Sequence, residues 1–262
     1  MLSAGRVLDL LDLLSRSGPL GVSEIARRMA ISKTVAWRLA DTLHERGYAA
    51  KDPDTRRYML GLKVLELSAS VRYRLEIVKV ARPYIEELVE KCDETVDLGV
   101  YDKNEVVFVD KKESTRSVRM VSSIGRRLPL HCTGTGKALL AFLPDSEIDK
   151  VISRGLARYT DNTITTPEDL RQELARIRAD GYAVDRQEFE IGVKCVGAPV
   201  LNPDGKAVAA ISIAGPAARI TDERIPALAE MVKAAAEGIA RDLHGDFGVI
   251  EPRPRERVEE CS

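Results

Sequence analysis

Apolar positions in the first 61 residues recur at helical spacing and predict three short helices. Between residues 7 and 14 they follow the pattern i, i+3, i+4, i+7, which is typical of one buried helix face. Two further helices are predicted over residues 23–29 and 33–46, separated by a break of three residues. Ser32 is a predicted N-cap for the last of them, and Gly47 is placed to end it in the left-handed conformation. Ser23 is predicted to cap the middle helix.

A hairpin is predicted to follow these helices. Residues 48–51 and 57–60 can pair as strands, and the Asp52-Pro53-Asp54-Thr55 sequence between them is typical of a turn. Proline presets φ there, and aspartate accepts hydrogen bonds from nearby amides. Two helices joined by a tight break and followed by a hairpin form a winged helix-turn-helix, which places one helix in the DNA major groove. Residues 1–61 are therefore predicted to be a DNA-binding domain.

The polar face of the third helix and the returning strand of the wing supply the candidate DNA contacts. Trp37, the only tryptophan of the chain, falls on that polar face. It could contact a thymine methyl or a sugar edge, or pack against a neighbouring element such as the N-terminal helix of a partner subunit. Lys33 and Arg38 could contact DNA or be ordinary solvated charges. The predicted DNA-binding residues are Ser32, Lys33, Thr34, Trp37, Arg38, Arg56 and Arg57.

The rest of the chain alternates between strand-like and helical patterns. Residues 62–77 are predicted to form a linker helix, and residues 78–92 a second helix with Pro83 near its first turn. The strand-like segments are 95–101, 105–112, 117–123, 182–186, 194–201 and 206–214, with 127–131 a short strand or loop. The further helical segments are 136–142, 145–153, 167–180 and 222–244. Residues 78–245 therefore read as one α+β domain with a mainly antiparallel sheet, and the charged residues 246–262 as a disordered tail.

Charge is distributed unevenly along the 262 residues. Residues 1–75 carry 13 Lys and Arg against 8 Asp and Glu, whereas the remainder carries 27 against 33. A basic front end on an acidic body suits a nucleic-acid module joined to a second domain. The chain contains no apolar run long enough to span a membrane and no pattern typical of a signal peptide. The four cysteines and three histidines lack metal-ligand spacing, so no metal cofactor is expected, and the cysteine usage suits the reducing cytoplasm.

Several motifs occur in an order and spacing that resemble one family. They are SEIARRM, SKTVAWRL, LHERGY and RRYMLG in the first part, then LPLHCTGTGKALLAFL and GYAVDRQEFEIGVKCVGAPVLNPDGKAVAAISIAGP. In this order they resemble the IclR family of bacterial transcription regulators over residues 3–244. The resemblance implies a GAF-like effector-binding domain, dimers that often pair into tetramers on DNA, and control of a catabolic operon as repressor or activator. The effector would be a small organic or aromatic carboxylic acid.

The resemblance also implies an effector pocket. Amides of the TGTGKA turn would approach a carboxylate, Met120 would form part of an apolar wall, and Ala214 stands where some relatives have a second serine. The effector residues carried over in this way are Met120, Gly134, Thr135, Asp185, Cys195 and Ser212.

The residues themselves allow other interpretations. A glycine-bounded loop entering a helix presents amides to an anion, but the same residues also suit a plain turn and cap. Cys195 could be a small buried core residue, and Asp185 an acid at the end of a strand. A Walker A loop is excluded, since His131 and Ala138 occupy its required glycine and hydroxyl positions.

Two other function classes compete with a ligand-gated regulator. Cys195, His131 and Asp185 could form a nucleophilic triad in a hydrolase- or ligase-like domain, although no local signature supports one. A DNA-architectural protein would not need a body of this size. The sequence therefore favours a cytoplasmic regulator that is not an enzyme and that forms a homodimer or a dimer of dimers. Its expected partners are double-stranded operator DNA and a small effector, and no membrane association is expected.

Overall fold

The computed structural model describes residues 2–245, and the predicted tail at 246–262 lies outside the described residues. The chain divides into two compact units, the first ending at Leu75 and the second beginning at Glu76. Among the helices of residues 2–245, none is both long and apolar enough to cross a membrane.

The first unit contains four helices and a two-stranded antiparallel sheet within its described residues. Its elements are α1 (Leu2–Ser17), α2 (Val22–Arg28), α3 (Lys33–Glu45), β1 (Ala49–Lys51), β2 (Tyr58–Leu60) and α4 (Lys63–Arg74). One face of each of α1, α2 and α3 closes over a small core. That core consists of Leu10, Leu14, Leu20, Ile25, Ala26, Ala36, Ala40, Leu43, Ala49 and Tyr58. The predicted winged helix-turn-helix is thus observed.

Local capping sets the helix boundaries of the motif. The Ser32 hydroxyl accepts a hydrogen bond from the Val35 amide at 3.3 Å, as predicted. Gly47 follows α3 at φ +77°, a conformation that glycine adopts without steric cost. The predicted Ser23 cap is wrong, because α2 begins one residue earlier. Gly21 is its N-cap, and the Gly21 amide donates to the Glu24 carboxylate at 3.3 Å.

The wing is tied back to the helical core. Tyr58 in β2 pairs with Leu20 through backbone hydrogen bonds of 2.8 and 2.9 Å, so a third segment joins the hairpin. At the turn, the Thr55 amide donates to the Asp52 carboxylate at 2.7 Å, as the turn chemistry predicts. Arg56 then adopts a left-handed φ of +57°. The hairpin is therefore held within its turn and at the start of β2.

The second unit is built on a six-stranded antiparallel sheet in the order β5-β4-β3-β8-β7-β6. Its strands are β3 (Thr95–Asp102), β4 (Glu105–Lys112), β5 (Arg127–Pro129), β6 (Ala183–Arg186), β7 (Val193–Leu201) and β8 (Ala207–Pro216). Its helices are α5 (Glu76–Cys92), α6 (Gly134–Leu140), α7 (Asp145–Ser153), α8 (Pro167–Asp180) and α9 (Ile225–Gly245). α5 and α9 pack together beside the sheet, and α6 packs on β7 and β8. The predicted α+β class is confirmed.

Two predicted elements differ from the structure. The strand predicted over residues 117–123 is wrong: the segment between β4 and β5 is irregular up to Arg127. Side chains hold it instead of a strand ladder, since Thr95 donates to the Met120 carbonyl at 2.7 Å and Ser114 to the Asp93 carbonyl at 2.8 Å. Pro83 is not near a helix start, because α5 begins at Glu76 and carries the proline in its interior.

Candidate DNA-binding surface and effector pocket

The residues predicted to contact DNA share one property, which is exposure to solvent. Ser32, Lys33 and Thr34 stand at the start of α3, and Trp37, with 48% of its surface exposed, lies one turn further on with Arg38. Arg56 and Arg57 are also exposed, on the wing.

Two of these seven side chains already have a structural role. The Ser32 hydroxyl caps α3. Arg57 donates to the Pro19 carbonyl at 3.0 Å and forms an ion pair with Glu24 at 3.0 Å, which fastens the wing to the loop before α2 and to α2 itself. By contrast, no ion pair engages Lys33, Arg38 or Arg56 within the described residues. Their cationic groups remain available to phosphates or bases.

Strand register aligns the predicted pocket residues in the second unit. Asp185 lies opposite Cys195, Cys195 lies opposite Ala214, and Ala214 lies opposite Thr95. Directly opposed residues of an antiparallel sheet point to the same face. One row of side chains therefore crosses four strands, and all four of these residues are buried.

A second row of side chains lies on the same face, displaced by two residues along each strand. Asp97 lies opposite Ser212, and Ser212 lies opposite Gly197. The hydroxyls of Ser212 and Thr135 are 2.8 Å apart and share a hydrogen bond, so the beginning of α6 contacts this row. Of the effector residues predicted from the sequence, Gly134, Thr135, Asp185, Cys195 and Ser212 are thereby brought to one buried surface.

Two glycines, Gly134 and Gly197, allow α6 to approach the sheet closely. A Cβ on Gly134 would lie 2.8 Å from the Cys195 sulfur, and a Cβ on Gly197 would lie 2.9 Å from the Gly134 carbonyl carbon. Neither distance is compatible with a real side chain. The Thr133 hydroxyl caps α6 by accepting from the Gly136 amide at 3.1 Å. These glycines therefore serve close packing as well as a turn.

The buried polar surface changes the proton affinity of its members. Burial raises the pKa of Asp185 to about 7, although the Glu188 amide donates to its carboxylate at 2.7 Å. Burial raises the pKa of Asp97 to about 6, although the Ser122 hydroxyl donates to its Oδ1. Burial and the nearby Asp185 charge raise the pKa of the Cys195 thiol to about 12. All three groups therefore hold a proton more tightly than they would in water, and at neutral pH the Cys195 thiol stays protonated.

Lys137 of α6 is held by groups of α8, β6 and the segment after β6. Its ammonium group is buried and donates to Glu188 Oε1 at 2.5 Å, to the Val184 carbonyl at 2.8 Å and to Glu173 Oε1 at 3.2 Å. These three bonds use all the donors that a lysine ammonium has. Lys137 therefore joins α6 to α8 and to the end of β6, and the GTGK sequence serves packing rather than phosphate binding.

A surface cleft of about 380 Å³ lies between two loops of the second unit. Met120, predicted as a pocket wall, lines it together with Arg126 on one side and Glu190 and Val193 on the other. The Arg126 guanidinium lies 5.9 Å from the centre of the Phe189 ring and close enough to Asp97 to lower the pKa of that carboxyl. Arg126 therefore lines the cleft and also lies near Asp97 of the second buried row.

Sequence reasoning missed four residues of this site: Thr95, Asp97, Ser122 and Arg126. Thr95 and Asp97 alternate with the buried Val96 and Leu98, which is the pattern of a strand with one polar face. That alternation was the available signal, but it does not tell whether the polar face meets solvent or an internal pocket. Within the described residues, no cluster of three or more His, Cys, Asp or Glu side chains is arranged to hold a metal ion.

The geometry argues against the triad interpretation. A nucleophilic cysteine needs a lowered pKa, and that of Cys195 is raised. The His131 ring donates from Nε2 to the Ala157 carbonyl at 3.0 Å, and burial lowers its pKa. The Asp185 carboxylate accepts from the Glu188 backbone rather than orienting a histidine. These three residues do not form a catalytic relay.

Comparison with known families agrees with the fold. The profile of the IclR helix-turn-helix domain matches residues 3–53, and that of the bacterial transcriptional regulator IclR C-terminal domain matches residues 69–241. The chain belongs to the IclR family. This IclR-family protein is therefore a DNA-binding transcriptional regulator with an effector-binding domain, and not an enzyme.

Individual relatives cover almost the whole regulator. It is 39% identical over 237 residues to the HTH-type transcriptional regulator KipR of Bacillus subtilis. The aligned region covers 90% of this chain and 94% of KipR. The crystal structure of Thermotoga maritima IclR superposes with a TM-score of 0.77 at 36% identity, covering 92% of this chain and 98% of that one. An IclR homologue from Microbacterium hydrocarbonoxydans, solved with 4-hydroxybenzoate, has a TM-score of 0.81 at 27% identity, covering 93% and 99%.

Proposed function

We propose that this regulator binds double-stranded operator DNA through residues 1–61 and senses a small organic acid in residues 78–245, with residues 62–77 as the linker. It acts in the bacterial cytoplasm on a catabolic operon. The observation that carries the proposal is the buried polar surface of the second unit. A packed core does not need Asp97, Asp185 and Ser212 side by side, whereas a pocket for a polar ligand does.

The DNA-binding part of the proposal rests on the exposed half of α3. Lys33, Thr34, Trp37 and Arg38 lie within its first six residues, the half that enters the groove in helix-turn-helix proteins. Arg56 would contact a phosphate beside the wing, and Arg57 and Ser32 would contribute through the local structure that they hold. These residues are proposed contacts, and each has the exposure that a contact requires.

The acidic effector is supported by chemistry at the cleft. Arg126 lines the cleft and offers a cation to a carboxylate. The first turn of α6 places the Thr135 hydroxyl 2.8 Å from the Ser212 hydroxyl, so the start of this helix adds polar groups to the pocket face. The Microbacterium relative binds 4-hydroxybenzoate, itself a carboxylic acid. We extend this ligand class, but no particular acid, to this regulator.

Homodimerisation is supported by exposed apolar side chains of the first unit. Leu65, Leu67 and Val71 of α4 expose 65%, 49% and 61% of their surfaces, and Leu8 of α1 exposes 63%. Apolar side chains grouped on short helices usually mark a contact surface. We propose that a second copy covers them and that two such dimers pair into a tetramer. Two recognition helices would then meet two half-sites of the operator.

The effector then controls operator binding by shifting the population of dimer arrangements. The effector binds one arrangement of the dimer better than another, and the population moves toward the arrangement it prefers. Operator affinity changes because the two DNA-binding units meet both half-sites in only one arrangement. Whether the effector releases or recruits the protein decides whether it represses or activates.

The test follows Trp37 fluorescence while duplex DNA from the regulator's own promoter is added, and then a panel of small carboxylic acids. We expect saturable quenching by promoter DNA and its reversal or enhancement by one acid. Asp185→Ala and Cys195→Ala should keep DNA binding and blunt the acid response. Cys92→Ala, a buried cysteine of α5 outside the pocket, is the matched control. Unchanged acid dose curves in both pocket variants would place the sensor elsewhere.

A further inference from the structure

Buried carboxylates in the second unit fall into two groups. The described residues contain five buried Asp and Glu side chains: Glu94, Asp97, Asp110, Asp185 and Glu188. Three of them have a cation, since Arg219 holds Glu94 with two hydrogen bonds of 2.6 Å, Arg82 lies 3.2 Å from Asp110, and Lys137 lies 2.5 Å from Glu188. The pairing follows the general rule that buried carboxylates are compensated by a cation.

Asp97 and Asp185 form the second group. Within the described part of the chain, no ion pair reaches either carboxylate, and both lie on the pocket face. Asp97 Oδ1 accepts from the Ser122 hydroxyl, and Asp185 Oδ1 accepts from the Glu188 amide. The structural bonds of both groups therefore involve neutral donors at Oδ1. The two buried carboxylates without a direct ion pair are thus the two that border the proposed effector pocket, although the Lys111 and Arg126 charges lie near enough to Asp97 to lower its pKa.

We infer that Asp97 is a specificity-determining effector contact, and that the effector is a carboxylic acid which also carries a hydroxyl group directed at Asp97. The inference rests on the proposed function, because it takes the same pocket as the sensor. An acid without a hydroxyl brings only acceptors, so it offers Asp97 no donor beyond the Ser122 hydroxyl. A hydroxyl both donates and accepts, and therefore suits Asp97 in either protonation form.

Arg126 gives the acid an orientation. Arg126 lines the open cleft and lies close enough to Asp97 to lower the pKa of its carboxyl, whereas Asp97 is 2% exposed and lies on β3 beside β8. The carboxylate end of the effector therefore lies toward the cleft and Arg126, and the hydroxyl end lies toward β3. A site built around a hydroxyl discriminates strongly against the analogue that lacks it, since the analogue leaves a buried polar group unpaired.

The experiment compares matched acids by calorimetry on the full-length protein. The pairs are 4-hydroxybenzoate with benzoate and lactate with propionate, each at up to millimolar concentration. We expect the hydroxylated member of at least one pair to bind at least about tenfold more tightly. In Asp97→Ala this preference should fall close to onefold, while binding of the unsubstituted acid changes little.

Ser122→Ala is the matched control for a structural role of Asp97. It removes the hydrogen bond between Asp97 and the loop but leaves the carboxyl group in the pocket. If Asp97 only anchors the loop, Ser122→Ala and Asp97→Ala will have the same effect on the preference. If Asp97 contacts the effector, the preference survives in Ser122→Ala. Asp97→Asn, which keeps the shape of the side chain, should reduce the preference even if the alanine variant folds poorly.

The outcomes separate this inference from the proposed function. Acids that bind without any preference for the hydroxyl, or with a preference that Asp97→Ala leaves intact, would overturn the inference and keep the acid sensor. Tighter binding of 4-aminobenzoate than of 4-hydroxybenzoate would overturn the assignment of a hydroxyl. If no acid of the panel binds while promoter DNA still does, the acid sensor itself fails, and the inference fails with it.

Discussion

Gly134 lies against Cys195 so closely that a methyl group on the glycine would come within 2.8 Å of the cysteine sulfur. This contact joins the first residue of α6 to the middle of the sheet. It positions the Thr135 hydroxyl within hydrogen-bond distance of the Ser212 hydroxyl. The proposed pocket surface therefore depends on the absence of a Cβ at Gly134.

Gly134→Ala should destabilise the second unit by roughly 1–3 kcal/mol, since an added methyl group in a packed interior forces its neighbours apart. Urea unfolding followed by far-ultraviolet circular dichroism measures the change. Gly5→Ala is the control, because a Cβ on Gly5 of α1 meets nothing within 4 Å. Equal and small effects of the two substitutions would mean that the pocket has room for the methyl group.

Asp185→Asn should change how stability depends on pH. The pKa of Asp185 rises from 3.8 to about 7 on folding, so the folded protein holds a proton that the unfolded chain has released. This contribution is complete below about pH 4 and is lost as the pH rises to about 7, with a slope of at most about 1.4 kcal/mol per pH unit. Asp185→Asn should remove that part of the slope.

The measurement is the urea midpoint between pH 4 and pH 8 for the wild type and the variant. Asp97 contributes a slope of the same sign up to about pH 6, and the variant keeps it. Asp161→Asn serves as the control, because the Asp161 side chain is fully exposed. A difference between wild type and Asp185→Asn that stays constant over this range would contradict the raised pKa.

Local signals explain which parts of the fold the sequence predicts well. The Ser32 cap, the Gly47 helix end and the Asp52 turn depend on residues within four positions of one another, and each was predicted correctly. The strand predicted over residues 117–123 failed for the opposite reason. Thr95 holds that segment from another part of the chain, and a single-sequence pattern contains no information about such a bond.

The pocket illustrates the same limit for function. The resemblance to a family predicts Asp185, Cys195 and Ser212 as pocket residues, whereas Asp97 looks like any polar residue of a half-exposed strand. Its place became visible only when β3 was found beside β8, more than one hundred residues later in the chain. Sheet order is a non-local property, so a buried acid can be told from a surface acid only after the strands are paired.

Arg56→Ala and Arg57→Ala should behave differently although the residues are neighbours. Arg56 has no ion pair within the described residues, so its loss should weaken operator and unrelated DNA alike and reduce the salt slope of binding by about 1. Arg57 holds Glu24 and the Pro19 carbonyl, so its loss should also lower stability, by less than about 1 kcal/mol because the pair is exposed.

Thermal unfolding and DNA binding at several salt concentrations separate these two effects. Arg56→Ala should leave the Tm unchanged and alter only the salt dependence. Arg57→Ala should lower the Tm, and Glu24→Ala should lower it at least as much, since it also removes the acceptor of the Gly21 amide, without a comparable change in the salt slope. A salt slope that is unchanged in Arg56→Ala would remove Arg56 from the proposed DNA contacts.

Arg38→Ala should weaken binding to the operator by roughly 1–3 kcal/mol if the guanidinium contacts a base. Arg38 is exposed on the first half of α3, and only its backbone carbonyl is engaged, by the Thr42 hydroxyl at 2.8 Å. The substitution therefore removes a DNA contact without breaking a side-chain bond of the protein. Gel-shift titrations on operator and on unrelated duplex of the same length provide the measurement.

The comparison between the two duplexes decides what Arg38 does. A base contact lowers operator affinity and leaves affinity for unrelated DNA almost unchanged, whereas a phosphate contact lowers both equally. Arg46→Ala is the matched control, since Arg46 is exposed at the other end of the helix, eight residues and about 12 Å away along its axis. If Arg46→Ala weakens operator binding as much as Arg38→Ala, the start of α3 is not the half that enters the groove, and Trp37 loses its proposed role with it.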